Sequence, residues 1–213
     1  MRLLDGEPEC GPWRATTPEE LLDLLLAGPG PAAGPRVVGV DGRGGSGKTV
    51  LAGALAEAAA RRGAAAAVVH TDDVAWHHSF FGWDADLAEH VLRPVRAGRG
   101  ASYRPPAWRE RDRPGAVAVP PGADLVLVEG TGVVRGSLVP LFDAAVWVQV
   151  DREVALARLR ERDGDGPEIR AFIADWEREE EPLLRAERPW ARCTCAVGTT
   201  PDGGLLLGRP AAG

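Results

Sequence analysis

The chain has 213 residues, enough for one α/β domain with a substantial core and a small lid. Its net charge of −6 at pH 7 provides no basic field, so we expect no nucleic acid among its partners. The sequence shows neither an apolar run of membrane-spanning length nor a signal-peptide start, which predicts a cytoplasmic protein without a membrane partner. Its three cysteines are too few for a disulfide framework.

Residues 1–35 are predicted to form an N-terminal extension that contributes one packing helix. Thr17 has the position of an N-cap, Pro18 that of the first helical residue, and Glu20 completes a capping box. The leucines between residues 21 and 26 give the helix a wide apolar face, and a Gly-Pro run ends it. We expect this helix to pack on the core and to have no chemical role.

The phosphate loop, residues 42–49, reads Gly-Arg-Gly-Gly-Ser-Gly-Lys-Thr and fits the Walker A pattern G-x-x-x-x-G-K-S/T at every fixed position. A β-branched run precedes it and a strong helix former follows it, which is the strand–loop–helix setting that the motif requires. Glycines let the backbone N–H groups turn toward phosphate, and the following helix adds its positive N-terminal end. The predicted nucleotide-binding residues are Gly42, Gly44, Gly45, Ser46, Gly47, Lys48 and Thr49.

Lys48 is the only lysine in the chain, whereas the other basic side chains are arginines. A compact ammonium group fits inside a ring of backbone amides and reaches the β- and γ-phosphates, whereas a planar guanidinium has a different shape. We therefore predict that Lys48 is catalytic and that the Thr49 hydroxyl binds Mg²⁺. ATP and Mg²⁺ are the expected cofactors.

A second apolar run, residues 64–70, predicts a strand that ends at an acidic pair, Asp72 and Asp73. Ligands of open parallel sheets collect at the carboxyl ends of strands, so we expect this pair beside the γ-phosphate. Adjacent residues of an extended chain point in opposite directions, which predicts that only one carboxylate faces the site. We assign the catalytic base to Asp72 and substrate binding to Asp73. Alternatively, Asp72 caps the next turn or orders Mg²⁺ through water.

Two further stretches carry candidate acceptor-binding residues. Aromatic side chains crowd residues 76–83, so Trp83 is assigned to an acceptor pocket, although packing on the core explains such a loop equally well. After a segment with helical spacing comes an Arg- and Pro-rich insertion, residues 98–121, with no clear period. Long irregular insertions in compact α/β domains are more often functional than idle. Its Tyr103, Arg104 and Trp108 are predicted to bind the acceptor or its phosphate.

The clearest buried strand, residues 124–129, ends at Glu129. An acidic residue at this position resembles the end of a Walker B strand, which binds Mg²⁺ directly or through water. We therefore predict that Glu129 binds the metal or, alternatively, the acceptor.

The remaining chain is predicted to continue the alternation of strands and helices. A strand is expected at 143–150, a helix at 151–162 and an acidic helix at 169–188 that Pro182 interrupts. The last strand is expected at 192–197. The tail, 201–213, is predicted to add a short edge hairpin around 205–207.

The order of these motifs, which closes with Arg-x-Arg-x-Arg-Asp on a helix, resembles the uridine kinase-like branch of the P-loop nucleoside kinases. This resemblance covers residues 36–200 and implies an α/β three-layer sandwich, with a five-stranded parallel sheet and helices on both faces. Asp72 matches the first Asp of the family's Asp-Asp-Phe-Tyr motif, which acts as the base. Arg158 and Arg162 match arginines of a short lid, about residues 158–168, that closes over the transferring phosphate.

Two departures from the family pattern concern the acceptor. Val74 and Ala75 replace the aromatic pair of the acidic motif, and Trp108 stands where uridine kinases carry a base-reading histidine. The resemblance implies an ATP-dependent kinase that phosphorylates a hydroxyl of a nucleoside or nucleoside-like acceptor. An antibiotic-modifying phosphotransferase acting on a small alcohol and a non-kinase P-loop ATPase or regulatory module are the alternatives. The sequence does not decide whether the protein forms a homo-oligomer.

Overall fold

The computed structural model describes residues 1–31, 33–200 and 202–209. The strands are β1 (Arg14–Thr16), β2 (Arg36–Gly42), β3 (Ala66–His70), β4 (Ala101–Tyr103), β5 (Val117–Val119), β6 (Leu125–Glu129), β7 (Ala144–Val148), β8 (Cys195–Thr199) and β9 (Leu205–Gly208). The helices are α1 (Pro18–Leu26), α2 (Lys48–Arg61), α3 (Thr71–Ala75), α4 (Asp84–Leu87), α5 (Arg93–Arg96), α6 (Pro106–Glu110), α7 (Arg152–Asp163) and α8 (Pro167–Glu187). A π-helical turn (Ala88–Leu92) joins α4 to α5.

A seven-stranded sheet in the order β1-β9-β8-β7-β2-β6-β3 forms the centre of the molecule. Its five strands from β8 to β3 are parallel, and β9 and β1 add antiparallel pairs at the β8 edge. The predicted sheet of five strands is therefore wrong in number, although the parallel part has five. The N-terminal extension and the tail each supply one additional strand. The rest of the predicted tail, residues 201 and 210–213, lies outside the described residues.

Helices cover both faces of the sheet, as expected for a three-layer sandwich. On one face, α1 and α2 pack leucines such as Leu25 and Leu55 against Val38 and Val40 of β2. On the other face, the helical segment from α4 to α5 and the β4–β5 hairpin pack against Val37. Central strands are buried on both sides, which explains their continuous apolar runs. No helix in the described ranges is both long and apolar enough to cross a membrane.

Local signals predicted some elements correctly and missed others. The Thr17 hydroxyl accepts the N–H of Glu20 at 3.2 Å and caps α1, which confirms the predicted start of that helix. The insertion at 98–121, expected to be irregular, contains the short β4–β5 hairpin and α6. Pro182 does not interrupt α8, because it lies on the exposed side of a helix whose buried side is held by Leu184.

Candidate active site

The phosphate loop connects β2 to α2 at the carboxyl edge of the sheet. Gly45 has φ +75°, and a Cβ there would overlap the carbonyl oxygen of Ala155, so only glycine fits against α7. Gly47, also left-handed at φ +99°, caps α2 without a side-chain hydrogen bond. The first N–H groups of α2 therefore have no side-chain cap, which suits an anion. The buried Ser46 hydroxyl likewise has no hydrogen-bond partner within the described residues.

A cavity of about 520 Å³ lies over this loop. It brings the loop together with Asp72 of α3, Glu129 at the end of β6, and Arg158 and Arg162 of α7. Its size is that of a site for a small organic ligand. Most of the side chains predicted to take part in phosphate transfer therefore share one cavity.

Lys48 and Asp41 connect the phosphate loop to the loop that follows β6. The Lys48 ammonium, only 9% exposed, donates to the Arg43 carbonyl at 3.0 Å and to the Thr131 hydroxyl at 3.1 Å. Asp41 is fully buried and accepts the N–H groups of Gly42, Gly132 and Val134 at 2.7–2.8 Å. Burial raises the pKa of Asp41 to about 6, although these backbone hydrogen bonds favour its charged form.

Sequence reasoning did not single out Asp41. The only available signal was an acidic residue at the end of a buried apolar run, directly before the glycines. Such a residue has to be paired in the folded protein, because an unpaired buried carboxylate is strongly unfavourable. Here its partners are backbone N–H groups, which a sequence pattern does not reveal.

Glu129 and Thr49 form the part of the site that fits a metal ion. The Thr49 hydroxyl donates to Oε1 of Glu129 at 3.0 Å, and Nδ1 of His70 lies 2.6 Å from the same oxygen. Burial by itself would raise the pKa of Glu129, but His70 and Lys48 hold it below its usual value, so the carboxylate stays charged. A hydroxyl and a carboxylate are the oxygen donors that Mg²⁺ prefers beside phosphates. His70 was not predicted as a site residue.

The two adjacent aspartates face different surroundings, as predicted, although the chain there is helical and not extended. Asp72 lines the cavity. Desolvation by the surrounding protein raises its pKa, whereas the positive charges of Lys48 and Arg162 lower it. Asp73 instead pairs with Arg113 of the insertion at 2.5 Å. Successive residues on a helix are about 100° apart, which separates the two carboxylates.

Arg158 and Arg162 lie one turn apart on α7 and both line the cavity. Arg158 donates to the Ser46 carbonyl at 3.2 Å and to the Thr199 hydroxyl at 3.0 Å, so it is fixed between the phosphate loop and the end of β8. Among the described residues, Arg162 forms hydrogen bonds only with the adjacent Asp163, through both carboxylate oxygens at 2.7 Å. Their role over the transferring phosphate remains a prediction.

The four residues assigned to the acceptor in the aromatic stretch and the insertion do not line this cavity. Trp83 is 2% exposed and packs in the core, with the Arg135 guanidinium 4.5 Å from its ring centre. Tyr103 stacks on His90 at 4.4 Å. Trp108 donates its indole N–H to the Asp73 carbonyl, and Arg104 donates to the Arg113 carbonyl. The contacts of Tyr103, Arg104 and Trp108 stabilise the insertion. Trp83 is buried in the core, which agrees with the packing interpretation of the aromatic stretch.

Side chains of α8 line the cavity instead, and the sequence analysis had not assigned them to the site. Phe172, Ile173 and Trp176 form one of its walls. In the sequence they were a helical stripe on an acidic helix, a pattern that normally indicates packing on a core. Only the position of the helix in the fold shows that the stripe faces the phosphate loop.

Lys48 supplies the first prediction. Replacing Lys48 with Met removes the ammonium, and we expect ATP–Mg²⁺ binding to weaken roughly 10- to 100-fold, the worth of a charge-assisted hydrogen bond. Lys48→Arg should also fail, because a guanidinium does not fit between the Arg43 carbonyl and the Thr131 hydroxyl. Calorimetric titration with a non-hydrolysable ATP analogue measures the affinity. Arg61→Lys, at the exposed far end of α2, is the matched control, and wild-type affinity in Lys48→Arg would contradict the assignment.

Several solved structures are similar to this fold. A protein described as a possible uridine kinase from Bacillus stearothermophilus superimposes with a TM-score of 0.60 at 24% identity, over 84% of this chain and 96% of that one. A candidate fructose transport system kinase from Silicibacter sp. TM1040 gives 0.64 at 20% identity, over 81% and 95%. The YGR205w protein gives 0.54 at 12% identity, over 87% and 95%.

No protein-family model matches the chain, and no curated protein gives a significant sequence match. At these levels of identity the structural similarity concerns the fold and not the substrate. The phosphate loop, the parallel sheet and these structural neighbours all indicate the same fold. The chain therefore has the fold of the P-loop kinases, with a uridine kinase-like protein among its structural neighbours.

Proposed function

We propose that the protein is an ATP-dependent small-molecule kinase that transfers the γ-phosphate to a hydroxyl of a nucleoside or nucleoside-like acceptor. One observation carries this proposal: the cavity holds both the phosphate loop and the Asp72 carboxylate. The Asp72 side chain makes no hydrogen bond or salt bridge to any described residue, although the charges of Lys48 and Arg162 act on it. A carboxylate that is open to the cavity beside a phosphate loop is suited to receive the proton of an acceptor hydroxyl.

In this proposal the chain binds the nucleotide through Lys48 and the backbone N–H groups of the phosphate loop. Thr49 and Glu129 would hold Mg²⁺, which when bound neutralises charge on the β- and γ-phosphate oxygens. Asp41 and Thr131 keep Lys48 in place, because they fix the loop after β6 against the phosphate loop. Protein groups thus surround the phosphates on several sides before any acceptor binds.

Asp72 orients the acceptor hydroxyl and takes its proton as the transfer proceeds. The acceptor oxygen forms a bond to the γ-phosphorus, while the bond from that phosphorus to the bridging oxygen breaks and ADP leaves with the electron pair. Arg158 and Arg162 offset the negative charge that develops on the transferring group. The products are ADP and a phosphate ester of the acceptor.

Asp72 gives the experiment that tests the proposed function. Asp72→Asn keeps the size and polarity of the side chain but removes its basicity, so we expect phosphate transfer to fall roughly 10²- to 10⁴-fold. Nucleotide affinity should stay near the wild-type value, because the phosphate loop is untouched. Asp73→Asn is the matched control, since Asp73 faces Arg113. Greater damage from Asp73→Asn, or a loss below about tenfold in Asp72→Asn, would contradict the assignment.

The pH dependence gives a second readout of the same variant. A base acts only when it is deprotonated, so kcat/KM must fall as the pH drops through the pKa of Asp72. Because burial raises that pKa, the acidic limb should lie above the ordinary aspartate value of about 4. The limb should be absent from Asp72→Asn, and an unchanged limb would assign it to another group.

Arg162 provides an independent prediction about the lid. We expect Arg162→Ala to lower kcat by roughly 10- to 1,000-fold while the dissociation constant of ATP changes little, because the guanidinium acts on charge that develops during transfer. Arg160→Ala is the control, since Arg160 is on the same helix but pairs with Asp165 outside the cavity. Equal effects of the two substitutions on kcat would refute the role of Arg162.

A further inference from the structure

We propose that Phe172 and Trp176 form an aromatic surface that binds the planar ring of the acceptor, and that Glu180 positions this surface against the phosphate loop. The inference rests on the proposed function and names the part of the acceptor that the cavity recognises. The three residues follow one another at spacings of four on α8, so they share one face of the helix.

The aromatic surface is open to a ligand. Phe172 and Trp176 both line the cavity, and Phe172 is 51% exposed, which makes it one of the few large exposed apolar side chains in the described part of the chain. An aromatic ring left exposed in the wall of a polar phosphate site is more easily explained by a ligand than by packing. Phe172 therefore leaves part of its ring open to a flat apolar group, beside the partly exposed ring of Trp176.

Aromatic contacts connect this surface to the segment that follows the helix of the proposed catalytic base. Phe80 lies 5.6 Å from Phe172 and 5.2 Å from Trp176, and Phe81 lies 4.9 Å from Trp176, measured between ring centres. Both phenylalanines follow α3, the helix that carries Asp72. An acceptor with its hydroxyl at Asp72 would therefore extend its ring toward α8.

Glu180 connects the aromatic surface to the phosphate loop. Its carboxylate is 2% exposed, and Oε1 accepts the N–H of Gly44 at 2.6 Å and the indole N–H of Trp176 at 3.0 Å. Hydrogen bonds to a buried carboxylate are strong, so they fix both the indole ring and the distance from α8 to the loop. Further along α8, Glu187 accepts the N–H of Gly136 at 2.8 Å, which holds the helix at a second point.

The contacts of Gly44 also argue that this surface does not bind the adenine of ATP. A Cβ on Gly44 would lie 3.2 Å from the Trp176 indole nitrogen, so Trp176 is next to the start of the loop. The other end of the loop, where α2 begins with Lys48 and Thr49, is the end expected to bind the β- and γ-phosphates. Arg158 closes a different flank by bridging Ser46 to Thr199 at the end of β8. In this proposal the nucleotide and the acceptor ring therefore occupy separate walls of the cavity.

The surface selects for a ring but not for one particular base. Stacking on aromatic side chains is tolerant of base identity, because every base has a π-face. Alcohols without such a ring gain nothing from these side chains. We therefore expect the acceptor to be an alcohol that carries a planar heteroaromatic ring, with weak discrimination among bases.

Steady-state kinetics with two acceptor sets test this inference. One set contains nucleosides and the other contains alcohols without an aromatic ring, such as free ribose, with the same ATP–Mg²⁺. Trp176→Ala should raise the KM of a nucleoside about 10- to 100-fold and leave calorimetric ATP affinity unchanged. Phe172→Ala should act in the same direction, and because Phe172 is exposed it also provides the test if Trp176→Ala fails to fold. Trp13→Ala is the matched control, because Trp13 does not line the cavity.

Glu180 is tested as a positioning residue by a KM-against-kcat split and by rescue. Glu180→Leu should raise the nucleoside KM, with a smaller change in kcat, because it releases Trp176. Glu180→Gln retains an oxygen that accepts the same two N–H groups and should restore most of the wild-type KM. Glu179→Leu, at the exposed neighbouring position, is the control. A purely structural role would lower thermal stability and leave the nucleoside KM unchanged.

The outcomes separate this inference from the proposed function. Equal kcat/KM for nucleosides and for alcohols without an aromatic ring would overturn the inference and leave the kinase proposal standing. Weakened ATP binding in Trp176→Ala with an unchanged nucleoside KM would also overturn it, because the surface would then hold adenine. The absence of transfer from ATP to any acceptor in either set would refute the proposed function itself.

Discussion

The arrangement of the site depends on one buried carboxylate, that of Asp41, which accepts three backbone N–H groups at the end of β2. These hydrogen bonds join the start of the phosphate loop to the loop after β6. Lys48 can then bridge to Thr131, and Thr49 can reach Glu129. A buried carboxylate without those donors would be strongly destabilising, so the two loops are expected to keep this spacing whether or not a nucleotide is bound.

The phosphate loop could be predicted from sequence because its requirements are local. Glycines, Lys48 and Thr49 are needed at fixed spacings, and the strand and helix on either side are visible as periodic runs. The position of Asp72 at the end of a strand followed from the same reasoning. Aromatic composition, in contrast, did not show which side of the sheet Trp83 or Trp108 occupies. The hydrogen bond from Gly44 to Glu180 joins residues 136 positions apart, and a single sequence carries no signal for it.

The cavity has two different flanks around the phosphate loop. Arg158 links the loop to the end of β8 on one flank, and Glu180 links it to α8 on the other. Helix α8 is thereby attached to the phosphate loop through a buried carboxylate. Structural neighbours described as a possible uridine kinase and a candidate fructose transport system kinase share the fold, so the fold alone does not identify the acceptor. In the proposed function, the wall formed by α8 makes that choice.

The central claim is that phosphate passes from ATP to an organic hydroxyl and not to water. The most direct measurement follows ATP labelled in its γ-phosphate, incubated with the protein, Mg²⁺ and a mixed set of nucleosides, with the products identified by mass spectrometry. We predict that the label appears in a phosphate ester and that ADP forms only when an acceptor is present. Label found solely in inorganic phosphate, formed at the same rate without an acceptor, would contradict the account and indicate an ATPase.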